Sequence, residues 1–68
     1  ELRLNADSPA AGRLVQELAL PEDVVLVAIT RGRNVLLPRG GTRLEPGDSV
    51  VALLSTAQRG PVKRLLVG

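Results

Sequence analysis

Leu2 and Leu4 alternate with Arg3 and Asn5 at the start of the chain, a period of two that predicts a strand with one dry and one wet face. The period then lengthens. Ser8 stands at an N-cap position with Pro9 after it, and Ala11, Leu14, Val15 and Leu18 follow at helical spacing. That pattern predicts a helix over residues 9–18, stopping before Pro21. Gly12 lies inside it at a cost of about 1 kcal/mol against alanine. It reads as a tolerated glycine near a helix start or as a point where another backbone comes close.

Residues 24–29, VVLVAI, carry no polar position, and a second apolar run follows RGRN. Two such runs around a glycine-bearing break predict a hairpin, turning near Gly32 to Asn34 between the second and third strands. Pro38 cannot donate to a ladder, so the third strand ends there or lies on an edge. SVVALLS, residues 49–55, reads as the fourth strand. Behind Pro61, the spacing of Val62, Leu65 and Leu66 predicts a short terminal helix over residues 60–66.

A strand with no polar face needs cover on both sides, and two short helices shield only one side of a four-stranded sheet. A second copy of the chain, or a neighbouring domain, is the expected cover for the other. The fold expected is therefore α+β: a small, mainly antiparallel sheet of four to five strands, one helix in the N-terminal half, a short C-terminal helix, and a two-fold dimer.

Length sharpens that expectation. With 68 residues the chain is one domain, residues 1–68, and a domain this small buries only about 60% of the surface its unfolded form exposes. There is no cysteine to add a disulfide or a thiolate metal site. The longest apolar run is far short of the roughly 20 residues of a membrane span. The start at Glu1 rather than methionine reads as a module cut from a longer chain or as a chain trimmed after expression.

The stretch EPGD, residues 45–48, is the most firmly specified turn. Pro46 presets φ, and Gly47 supplies the positive φ of a type II turn. Glu45 and Asp48 are an acid pair, but the chain has no histidine, cysteine or tyrosine to complete a catalytic site. Asp48 is expected to accept N–H groups of the turn, with Glu45 solvated. The serines and threonines lack a histidine to activate them, Glu22 and Asp23 read as a solvated loop pair, and neither RGGT nor TRGR fits a phosphate-loop fingerprint. The chain is read as not an enzyme and as requiring no cofactor or metal.

Charge placement offers more. Net charge is only +2, yet Arg31, Arg33, Arg39 and Arg43 fall within residues 24–44, a stretch without any acid. Guanidinium forks match phosphate, and Asn34 adds an amide beside them. The same arginines also suit the guarding of a hairpin and an edge strand against unwanted pairing. Nucleic acid is not expected as a partner, because there is no Phe, Tyr or Trp to stack a base and the net charge is small.

The span from Ser8 to Leu54, SPAAGRLVQELALPEDVVLVAITRGRNVLLPRGGTRLEPGDSVVALL, resembles the TrkA C-terminal domain, also called the RCK C-terminal domain. Ser8, Pro9, Gly12, Leu18, Ile29, Arg31, Pro38, Leu44, Gly47 and Asp48 carry the resemblance, in the family's order and spacing. It implies a cytoplasmic dimeric module, part of a longer transporter or transport-regulator chain. Such modules serve potassium channels, cation/proton antiporters or other transporters and have no direct insertion in the membrane. It further implies a small anionic ligand, cyclic di-AMP first among candidates, in the cleft at the dimer two-fold. That cleft corresponds here to Arg31, Arg33, Asn34, Val35 and Pro38. Two alternatives stand beside this reading. One is a purely structural dimerisation module. The other is a DNA-binding dimer of the AbrB type, which GRNVLLPRGG resembles in its strand-and-turn pattern and against which the helix at residues 9–18 argues.

Overall fold

The structure, a computed structural model, describes all residues from Glu1 to Gly68. Four strands, β1 (Leu2–Arg3), β2 (Val25–Arg31), β3 (Asn34–Leu36) and β4 (Ser49–Leu53), form one sheet in the order β1-β4-β2-β3. Every pairing is antiparallel. A 3-10 turn, Thr56–Gln58, leads into the one α-helix, α1 (Arg59–Leu66). The sheet, the hairpin and the terminal helix are those expected. Pro61 is compatible with α1 because it lies in the first turn, where its missing N–H has no intrahelical acceptor to lose.

The register explains how VVLVAI divides between two faces. Leu26 lies opposite Ala52 and Ala28 opposite Val51, so Val27 is an extra residue bulged out of the β2–β4 ladder. Leu26 and Ile29 thereby share the inner face with Val50 and Leu36. Nine residues form the buried core: Leu4, Ala10, Leu18, Val24, Ile29, Leu44, Val50, Val62 and Leu66. The N-terminal segment and α1 roof this face alone. On the outer face Val25 is 56%, Val35 68% and Leu53 66% exposed, with Val27 and Leu37 also in the open.

The helix expected over residues 9–18 does not form. The segment is a run of turns followed by a single 3-10 turn, Val15–Glu17. Its amides find partners across space instead of four residues back. Gly12 N–H donates to the Leu44 carbonyl at 2.8 Å, Val15 N–H to Thr42 at 2.9 Å and Gln16 N–H to Gly40 at 3.0 Å, and Leu14 bridges Arg43. Non-local pairing with residues 40–44 overrides a helical spacing and the helix-forming Ala, Leu, Gln and Glu around it, and Gly12, the weak point of that run, turns the chain at φ +83°. A Cβ at Gly12 would meet nothing within 4 Å, so conformation and not crowding demands glycine there, although another backbone does approach through the Leu44 bond. Ser8 is buried, and its hydroxyl accepts from Asn5 N–H at 2.8 Å, closing the preceding turn rather than capping a helix. With that helix gone, so is the argument it supplied against an AbrB-type reading.

Candidate functional site

The EPGD turn adopts the conformation its residues require. Gly47 has φ +92°, and Asp48 N–H donates to the Glu45 carbonyl at 3.1 Å. Gly47 N–H donates to Leu4 and Leu4 N–H to Asp48, each at 2.8 Å, which ties the turn to the chain beyond β1. The Asp48 side chain is buried, and its Oδ2 accepts from Glu45 N–H at 2.9 Å, the turn-stabilising bond expected of it.

Arg31 completes the arrangement from the end of β2. Its Nε donates to Asp48 Oδ1 and its Nη2 to Asp48 Oδ2, both at 2.9 Å, a bidentate pair. Nη2 also donates to the Arg43 carbonyl at 2.9 Å. Nη1 lies 3.2 Å from Glu45 Oε2, so Glu45 is not merely solvated: it is exposed but ion-paired. The Arg31 hydrogen bonds, aided by the Glu45 amide, outweigh burial and hold the Asp48 carboxyl below the ordinary aspartate range. The same bonds raise Arg31 above its usual value. One cation faces two carboxylates, so this cluster carries a net charge of about −1. Of the four arginines in the acid-free stretch of residues 24–44, Arg31 alone is neutralised, by acids immediately beyond that stretch.

The five residues picked from the sequence are only partly brought together. Arg31 pairs in register with Asn34 across a two-residue loop, Gly32 and Arg33, in which Gly32 has φ +60°. Thr30 pairs with Val35 one step back. By strand alternation Arg31 and Asn34 lie to one side of the sheet, and Val35 points to the other, outer side. Arg33 and Asn34 are exposed at the hairpin tip, and Pro38 is half-buried beyond β3. Arg33 and Arg39 form no ion pair, whereas Arg43 Nη1 donates to the Gly12 carbonyl at 2.6 Å.

The one sizeable concavity lies elsewhere. An open cleft of ≈ 470 Å³ runs between the β1–β4 edge and the start of α1, floored by Leu2, Val50, Ala52 and Leu54 and flanked by Arg59 and Lys63. None of the five residues lines it. No buried side-chain nitrogen or oxygen lacks a partner, and no group of acids is placed to hold a metal ion. No helix is long and apolar enough to cross a membrane. Two features were missed by sequence reasoning: the Arg31–Asp48 pair and the Glu45 contact. The signal available for them was the lone arginine ending an apolar strand and the acid following a Pro-Gly turn.

A four-stranded antiparallel sheet roofed on one face, with a braced Pro-Gly-Asp turn and an arginine at the end of its central strand, defines a small α+β module. The TrkA-C domain matches residues 1–66, and the chain belongs to that family. It is 36% identical over 67 residues to the Trk system potassium uptake protein TrkA of Mycobacterium tuberculosis, covering 98% of this chain and 30% of that protein. To the Trk system potassium uptake protein TrkA homolog of Archaeoglobus fulgidus it is 38% identical over 56 residues, 82% of this chain and 13% of that protein. For TrkA of Haemophilus influenzae the identity is 35% over 54 residues, 79% of this chain and 12% of the relative. The chain thus spans less than a third of the length of these relatives.

Proposed function

We propose that this chain is a cytoplasmic, dimerising regulatory domain of a potassium or other cation transport system. Two copies meet through the outer sheet face, and a small anionic nucleotide, cyclic di-AMP first among candidates, binds beside that interface. The observation that carries this reading is the asymmetry of the sheet. One face is roofed, while Val25, Val27, Val35, Leu37 and Leu53 stand exposed on the other. A patch of this kind on so small a domain suits a self-complementary two-fold contact. The relatives' names supply the transport context.

The nucleotide contacts fall to the hairpin: Arg33 and Asn34 at its tip, Val35 on the outer face, Pro38 beyond, and Arg31 behind them. Arg33 brings an exposed guanidinium with no carboxylate partner. A ligand with two phosphates suits a site doubled by a two-fold axis. Sedimentation velocity at high micromolar concentration, paired with thermal shift against cyclic di-AMP, ATP, ADP and NAD, tests both halves. A dimer stabilised by about 2.7 kcal/mol at a hundredfold excess of one nucleotide over its Kd is the expected result. A stable monomer overturns the assembly. A dimer whose melting none of the nucleotides shifts favours a purely structural dimerisation module, the reading to which the internal neutralisation of Arg31 lends weight.

A further inference from the structure

We propose that Glu45 is a built-in competitor for anions at Arg31, so that ligand and Glu45 carboxylate exchange on one edge of the guanidinium while Asp48 stays in place. The inference rests on the anionic-ligand reading above and adds the residue that tunes it. Of the three guanidinium nitrogens, Nε and Nη2 are committed to Asp48, and Nη2 also to the Arg43 carbonyl. Only Nη1 faces a partner able to leave. The two carboxylates differ sharply: the Asp48 side chain is 1% exposed and also held by the Glu45 amide, whereas the Glu45 side chain is 55% exposed and its sole ion pair is this one, at 3.2 Å.

An exposed pair of that length is weak and easily exchanged, whereas the buried bidentate pair is not. Glu45 therefore acts twice against an incoming phosphate, by occupying Nη1 and by repelling a second negative charge. Glu45 is a positioning residue here: it acts through Arg31.

The test is calorimetric titration of cyclic di-AMP and of inorganic pyrophosphate into wild type, Glu45→Gln and Glu45→Asp, with melting temperature and salt dependence recorded alongside. Glu45→Gln is expected to bind roughly two- to fivefold tighter than wild type, with a melting temperature nearly unchanged, and the gain should shrink as salt rises. Glu45→Asp, which keeps the charge, should stay close to wild type. If wild type binds and Glu45→Gln binds no tighter, the competitor role is overturned and the anion site survives. If neither protein binds either probe, the anion reading falls and the competitor role with it.

Discussion

Two tight turns in this molecule each carry a glycine at positive φ beside an arginine, yet they are built for different ends. In EPGD, Gly47 at φ +92° leads into a buried Asp48 gripped by Arg31, and both sides of the turn are tied to Leu4. In RGRN, Gly32 at φ +60° leads to exposed Arg33 and Asn34, which make no ion pair or side-chain hydrogen bond. The first turn has its buried carboxylate, Asp48, spent on the fold, with Glu45 ion-paired at its surface. The second holds its donors out to solvent. A charged turn is a structural brace where its charges are satisfied internally and a candidate contact surface where they are not.

The sharpest way to break this contrast is to remove the brace. Asp48→Ala leaves Arg31 with the exposed Glu45 as its one acidic partner, beside the Arg43 carbonyl, and strips the Glu45 amide of its acceptor. Breaking one half of a buried charge pair costs several kcal/mol. Since the Arg31 side chain here is one-third exposed, about 2–3 kcal/mol is expected. Urea unfolding should show the loss as a lower midpoint with unchanged slope. A loss below about 0.5 kcal/mol would make the turn dispensable and erase the distinction.

Glycine substitution tests the backbone term separately. A Cβ at Gly47 or at Gly32 would meet nothing within 4 Å, so the loss starts from the positive φ and not from crowding at Cβ. Gly47→Val is expected to destabilise by about 1–2 kcal/mol, because a shift out of the left-handed region also pulls Gly47 N–H from Leu4 and misaims Asp48. Gly32→Val should lose less, about 1 kcal/mol, since the hairpin tip can relax into solvent. Equal losses would show that the tether around EPGD adds nothing to the strain.

These two turns also mark what the residues disclosed before any coordinates. Pro46-Gly47 announced its turn type, RGRN its hairpin, and the all-apolar VVLVAI an uncovered face, because each depends on local dihedral preference or on simple alternation. The Arg31–Asp48 pair joins residues 17 apart in sequence, and no periodicity encodes it. Residues 9–18 failed for the same reason in reverse: their spacing was helical, but the amides of Gly12, Val15 and Gln16 were claimed by residues 40–44. The bulge at Val27, which sets which apolar residues face out, was likewise invisible to a count of period two.

Acid sharpens the comparison further. The folded Asp48 carboxyl titrates below its unfolded value, chiefly because Arg31 donates two hydrogen bonds to it. Its contribution to stability is therefore complete above the unfolded value near 3.9 and drains away as pH falls through the lower folded value. Glu17 shifts the same way, chiefly through the Leu14 N–H bond to its carboxylate, but it is exposed. Melting temperature should fall as pH drops below about 4, and the fall should be shallower in Asp48→Asn, which has no carboxyl to protonate. Parallel profiles for the two proteins would place the acid sensitivity outside the turn.

The smallest change in stability is expected at the hairpin tip, and there it is most informative. Arg33→Ala and Asn34→Ala remove exposed side chains, so each should alter stability by no more than about 0.5 kcal/mol in the absence of ligand. The outer face is untouched by either change, so the proposed dimer should persist in both variants. What should change, on the proposed nucleotide reading, is the response to ligand: any melting shift that cyclic di-AMP produces in wild type should drop by at least half in Arg33→Ala, because one charge-assisted contact would be lost from each copy of the proposed pair. Differential scanning fluorimetry across a ligand titration reads both quantities from the same samples. A variant that melts like wild type and also responds like wild type would make Arg33 a guard on the β3 edge, and the bare turn would then be no more functional than the braced one.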